Sequence, residues 1–281
     1  MRVVSFFDET GTVSGTPLVF QNAYLGTGSG IGAIEIGGDQ GTSPRNFTWN
    51  LEVDRKIRQG VTLRISYVKS QTRYVFVVNP YLGAAGQDSV LGLSASGSAN
   101  HHELAATVRF HPNNRNEWTV SCTQSQARGD LNALSDLFVP FQQPVIRPNC
   151  VARLGSDIPN RLVSSGIFQL PWKLTFSPAI DLHTGFPYSN VDISQNYVGQ
   201  PYSLRLPTFF SFNIRVYRAF RLPFLSVGPL RNRKFRFGFY SMNSTNYTNP
   251  LNVYNNVASP LFGQFAGYQH RVDGLIVDVA D

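Results

Sequence analysis

From Phe47 to the C-terminus the chain repeatedly alternates apolar and polar residues with a period of two, a pattern that an extended strand with one greasy and one polar face satisfies and a helix does not. Phe47, Trp49, Leu51 and Val53 share one face, opposite Thr48, Asn50, Glu52 and Asp54. After the short turn Arg58-Gln59-Gly60, Val61, Leu63, Ile65 and Tyr67 repeat the arrangement, so the two segments read as a hairpin. The same rule sets Leu104, Ala106, Val108 and Phe110 against Ala105, Thr107 and Arg109, and Trp118, Val120 and Cys122 against Thr119, Ser121 and Thr123. Leu174, Phe176, Ile180 and Leu182 oppose Lys173, Thr175, Ser177, Asp181 and His183, with Pro178 suggesting a bulge. Phe210, Phe212, Ile214 and Val216, then Phe235, Phe237 and Phe239, then Leu275, Val277 and Val279 complete the series.

Such a two-faced strand fits either a soluble sandwich, whose greasy face meets a core, or a barrel in a bilayer, whose greasy face meets lipid. Composition favours the barrel. Charged residues are 15% of the chain, below the roughly 25% of an ordinary soluble domain, while aromatics reach 13% with 21 Phe and 12 Tyr. Several segments run to about ten residues, the length of a tilted strand crossing a bilayer. No stretch approaches the roughly 18 apolar residues of a membrane-spanning helix, so any crossing is made by strands. The net charge of +7 comes mostly from scattered arginines rather than a basic stripe, which argues against a nucleic-acid partner.

The expected architecture is all-β: an antiparallel up-and-down transmembrane β-barrel segment of about eight to ten strands, short of a closed barrel. Residues 1–42 form a Gly-rich N-terminal segment that is hard to place, and 43–281 form the barrel portion. Tight turns alternate with long irregular stretches at Tyr81 to Asn100, Leu131 to Asn160 and Asp192 to Pro207. On the polar face, Arg64, Arg109, Asp181, His183, Arg215 and Arg236 are candidate lumen residues. On the apolar face, Trp49, Leu63, Val108, Trp118, Phe176, Phe212, Phe237 and Val277 are candidate lipid contacts.

The chemical motifs are weak. Gly28-Ser29-Gly30-Ile31-Gly32-Ala33 has the spacing of a dinucleotide fingerprint, but the residues after it do not open a helix that would cradle phosphate. His101, His102 and Glu103 alternate between faces and cannot converge on one metal. Asp181 and His183 share a face without a nucleophile at a fixed spacing, Arg128-Gly129-Asp130 reads as a loop beginning, and Cys122 and Cys150 form no disulfide framework. These observations point to no enzyme, no cofactor and no metal.

Toward the C-terminus the sequence resembles the barrel of TonB-dependent outer-membrane receptors of the Oar-like group. The resemblance is carried by Ser156-Asp157-Ile158-Pro159-Asn160-Arg161, Leu170-Pro171-Trp172, Thr184-Gly185-Phe186-Pro187-Tyr188 and Arg205-Leu206-Pro207-Thr208-Phe209-Phe210. Asn243-Ser244-Thr245-Asn246 and the run Asn255-Asn256-Val257-Ala258-Ser259-Pro260-Leu261-Phe262-Gly263-Gln264-Phe265 continue it. It covers about Asp157 to Val279 well and Ser43 onward more weakly.

The resemblance implies a Gram-negative outer-membrane barrel that takes up a scarce substrate with energy from the inner membrane. Its partners would be outer-membrane lipid, a plug domain and the rest of the barrel, and an inner-membrane energy-transducing complex. Transporters of this kind use about 22 strands, and neither plug, signal peptide nor energy-coupling box is legible here, so the chain reads as a C-terminal part of such a receptor. A soluble or cell-surface all-β binding module, adhesin- or lectin-like, and a small passive outer-membrane barrel are the alternatives.

Overall fold

The period-two segments do become strands, and they pair in sequence order. The computed structural model describes residues 2–4, 18–23, 43–81, 89–113, 115–130, 150–193, 197–220 and 234–280. The Gly28 to Ala33 motif and most of the N-terminal segment fall outside them. In chain order the strands are β1 (Arg2–Val4), β2 (Leu18–Ala23), β3 (Arg45–Arg58), β4 (Val61–Tyr81), β5 (Ser89–Asn113), β6 (Asn116–Gly129), β7 (Ala152–Arg153), β8 (Asn160–Leu170) and β9 (Leu174–His183). There follow β10 (Pro187–Tyr188), β11 (Asn190–Val191), β12 (Tyr197–Val198), β13 (Leu204–Arg205), β14 (Phe209–Phe220), β15 (Lys234–Met242), β16 (Asn249–Val253), β17 (Phe265–Gln269) and β18 (Val272–Ala280).

Twelve strands form one sheet, and its body is the antiparallel succession β3-β4-β5-β6-β8-β9-β14-β15-β18. β3 and β18 do not pair with each other, so the described sheet is an open up-and-down wall rather than a closed barrel. The hairpin reversals at Gln59-Gly60, around Arg115 and at Pro171 to Lys173 are tight and lie at one end. The link 221–233 from β14 to β15 lies with them, and the other long connections lie at the opposite end, where β4 and β5 also extend to 21 and 25 residues. That is well beyond the about ten residues needed to cross a bilayer. Among the described residues, side chains do not form a core between two layers: the buried apolar ones are few and small (Val77, Ala95, Ala127, Ala152 and Val191), whereas Val277, Leu275, Phe47 and Leu51 are 74%, 71%, 67% and 63% exposed.

Two local expectations are corrected. Tyr81 to Asn100 was expected to be irregular, yet 89–100 belong to β5. Gly, Ala and Ser carry no apolar alternation to read, yet β4 and β5 stay paired as far as Tyr81↔Val90. Pro178 makes no bulge: β9 pairs with β14 in one unbroken register, and its pairs with β8 keep the same offset on either side, Ser165↔Ala179 and Phe168↔Phe176. The lost proline N–H removes a bond from the ladder without adding a residue to it. The register shifts fall elsewhere, between Lys56 and Arg58, between Arg73 and Val77, and between Phe110 and Asn113.

Candidate functional site

Directly paired residues of neighbouring strands point to the same side of a sheet, so the register can be followed across the wall. Starting from Asp54, the chain of partners runs Asp54↔Arg64↔Thr107↔Ser121↔Val163↔Asp181↔Ser211, one continuous side. Arg109, His183, Arg215 and Arg236 sit on that side as well, in pairs with Thr62, Arg161, Ser177 and Asp278. The other side carries Val53↔Ile65↔Ala106↔Cys122↔Leu162↔Leu182↔Phe210. Trp49, Leu63, Val108, Trp118, Phe176, Phe212, Phe237 and Val277 all lie there. Along β5 the even positions Leu104, Ala106 and Val108 are exposed, while the odd positions Glu103, Ala105 and Thr107 between them are half-buried. The greasy side is therefore the outer one, the reverse of a sheet that closes over its own core.

Most arginines of the polar side are fixed by carboxylates. Arg64 holds Asp54 through two hydrogen bonds of 2.7 Å each and reaches Glu52 at 3.2 Å. Arg161 holds Asp181 at 3.0 and 2.7 Å, and Arg236 holds Asp278 at 2.6 and 2.8 Å with its guanidinium 5.8 Å from the centre of the Tyr217 ring. Planar two-point pairing of this kind orients both partners rigidly on the wall. Arg109 and Arg215 meet no carboxylate within 4.0 Å among the described residues. Arg215 opens into a recess of about 800 Å³ lined by Glu117, Thr119, Ser177 and Asn213 together with apolar Ile167 and Met242. The arrangement offers a solute hydroxyls and charges of both signs beside apolar surface.

Asp181 and His183 share the side, as expected, but take different partners. Both carboxylate oxygens of Asp181 face Arg161, whereas His183 places Nδ1 2.8 Å from the Thr184 carbonyl and stacks on Phe209 at 4.6 Å. His101 Nε2 lies 3.6 Å from Glu103 on the polar side, and His102 is on the other, so the three do not converge. Among the described residues no three His, Cys, Asp or Glu side chains gather as a metal site. Cys122 and Cys150 are both free thiols.

The long-loop end holds the most buried charged group among the described residues, which periodicity did not reveal. Asp157, 2% exposed, accepts from the Ala127 N–H at 2.7 Å and forms a short ion pair with Arg205. Arg205 Nη1 also donates to the carbonyls of Asp157 at 2.7 Å and Gly185 at 3.1 Å. Asn249 bridges Phe210 and Gln269, and Asn243 bridges Tyr247 and Gln269. Asn255 Nδ2 donates to the Ser189 carbonyl at 2.7 Å, so the segments around Ser189 and Asn255 are tied to each other. The described connections at this end are thus tied to one another and to the strands by side-chain hydrogen bonds.

The outer membrane transporter YddB from Escherichia coli has the same fold, with a TM-score of 0.56 at 12% identity over 84% of this chain and 33% of that one. The fold is that of an outer-membrane transporter barrel, in part. The FrpB iron transporter from Neisseria meningitidis matches with a TM-score of 0.53 at 10% identity, over 85% of this chain and 31% of its own length. The chain therefore spans about a third of each transporter it matches. No family model and no curated protein matches the sequence.

Proposed function

We propose that the chain is the C-terminal portion of a TonB-dependent, Oar-like transporter barrel in the outer membrane of a Gram-negative bacterium, serving uptake of a solute. The observation that carries this reading is the sidedness of the wall: a continuous register sets aromatic and aliphatic side chains outward and ion-paired arginines inward. On this reading lipid covers the outer side, and Arg64, Arg109, Asp181, His183, Arg215 and Arg236 line the lumen. Further strands join β3 and β18, because an unpaired backbone edge in hydrocarbon costs several kcal/mol per group. Within the lumen, Arg109 and Arg215 are arginines free of carboxylates among the described residues and can meet the solute or a plug, and the inner-membrane complex acts through that plug.

The two native thiols provide the test. Cys122 sits on the outer side in mid-wall and Cys150 lies in a connection at the long-loop end. In lipid vesicles a charged, membrane-impermeant thiol reagent is expected to label Cys150 and spare Cys122, and a membrane-soluble maleimide is expected to label both. Equal labelling of both by the charged reagent would overturn the reading in favour of a water-exposed binding module.

A further inference from the structure

The outer side carries exposed arginines at both ends, Arg55, Arg58 and Arg218 at the tight-turn end, but at the long-loop end they stand in direct opposition. Arg45 and Arg73 are direct partners across β3 and β4, and Arg128 and Arg153 are direct partners across β6 and β7. Like charges in direct opposition, with Cβ atoms about 5 Å apart, weaken a strand pair. Two such oppositions on one rim need a reason beyond folding. All four side chains are exposed, and none meets a carboxylate within 4.0 Å among the described residues. The acid on this stretch, Asp130, spends Oδ1 on the backbone N–H and hydroxyl of Ser98. Arg153 gives one nitrogen to the Ser203 carbonyl at 3.3 Å and keeps the rest of its fork.

The local backbone serves the same rim. Beside Arg73 the register shifts, Tyr74 takes a left-handed φ of 58°, and its ring lies 5.9 Å from the Arg45 guanidinium. One row below, Phe47 pairs with Gln71; two rows below, Lys69 pairs with Trp49, whose ring is 5.2 Å from Tyr67, and Leu51, Val53 and Ile65 follow beneath. Cations above aromatics above aliphatics is the order of layers met on passing from headgroups into acyl chains. Counting two strand spacings across and two residues along, the nearest members of the two pairs, Arg73 and Arg128, are about 12 Å apart.

We infer that this rim binds phosphorylated lipid headgroups at the bilayer surface, each arginine pair taking one phosphate group. The inference rests on the proposed reading that the outer side meets lipid. Guanidinium forks match phosphate oxygens two at a time, and a bound phosphate turns each repulsive opposition into a bridge.

The test compares the full chain on phosphatidylcholine vesicles with vesicles that also contain a bis-phosphorylated glycolipid, diphosphoryl lipid A. Each basic side chain near a charged surface changes binding about five-fold, so Arg45→Gln/Arg73→Gln and Arg128→Gln/Arg153→Gln are each expected to lose about twenty-five-fold of the preference for the phosphorylated vesicles. Lys56→Gln/Arg58→Gln, which removes the same charge at the tight-turn end, is expected to keep it. Because the substitutions remove repulsion, thermal midpoints in uncharged detergent should hold or rise, separating lost binding from lost folding. No preference by the unmodified chain, or an equal loss in the Lys56/Arg58 control, would overturn the inference while leaving the membrane reading intact. Release by millimolar inorganic phosphate would reassign the rim to free anions and overturn it too. Failure to associate with either kind of vesicle would overturn both this inference and the reading beneath it.

Discussion

Replacing Arg205 with Leu is expected to open the mouth of the wall without unfolding the wall itself. The substitution strips Asp157, 2% exposed, of its cation and leaves the Ala127 N–H at 2.7 Å as the described donor to its carboxylate. It also takes a donor from each of the carbonyls of Asp157 and Gly185. Removing one member of a buried pair costs about 3–5 kcal/mol, and Arg205 is itself 19% exposed, so about 3–4 kcal/mol is the appropriate figure. That corresponds to a local opening equilibrium shifted by about one hundred and sixty- to nine hundred-fold. Hydrogen exchange read by mass spectrometry should show the change in the segments 150–159 and 184–206, with β8 and β9 unaffected. Asp157→Asn combined with Arg205→Leu should recover part of the loss, because no charge is then left buried alone. Exchange in those segments within about three-fold of the unmodified chain, or a loss spread evenly over β8, β9 and β14, would refute the reasoning.

Other expectations follow from single positions. Trp172 and Lys173 carry left-handed φ values of 61° and 60° at the centre of the β8–β9 reversal, where Asn-Gly would be unstrained; Trp172→Asn/Lys173→Gly should raise the thermal midpoint, by about 1–2 kcal/mol of relieved strain. At Gly238 an added Cβ would meet the Val216 carbonyl oxygen at 2.0 Å and the Tyr217 Cα at 2.5 Å, so Gly238→Ala should prise β14 from β15 and lower stability by about 1–3 kcal/mol in urea unfolding. Burial, and then the charge of Asp130, push the Cys150 thiol above its ordinary value. Both disfavour the thiolate, so its alkylation rate should still be climbing where an ordinary thiol has levelled off, and Asp130→Asn should move the midpoint down.

The faces of the wall were legible because strand periodicity is two and survives any distortion that does not add a residue. That is why the apolar segments from Phe47 to Val279 needed no tertiary information to be assigned a common side. Partners across strands were harder. Counting outward from the Gln59-Gly60 turn and the pair Arg58↔Val61 would set Arg64 opposite Arg55, but the one-residue shift between Lys56 and Arg58 sets it opposite Asp54. Arg161, absent from the sequence-derived lumen set, is found only through the β8–β9 register that carries it to Asp181. Asp157 and Arg205 are 48 residues apart in connections without periodicity, so nothing local signals that they meet. The Gly-Ala-Ser stretch of β5 hid for another reason: it is strand, but its sequence carries no apolar alternation, and its register against β4 shifts opposite Val75 and Val77.

The central claim is that the greasy side of this wall meets lipid and the arginine side meets water. Spin labels placed one at a time from Glu103 to Phe110 on β5 in a lipid bilayer test it most directly, through collisions with oxygen and with a water-soluble nickel chelate. Oxygen collisions should peak at Leu104, Ala106, Val108 and Phe110, and nickel collisions at Glu103, Ala105, Thr107 and Arg109. A flat profile, or one with the two phases exchanged, would contradict the account.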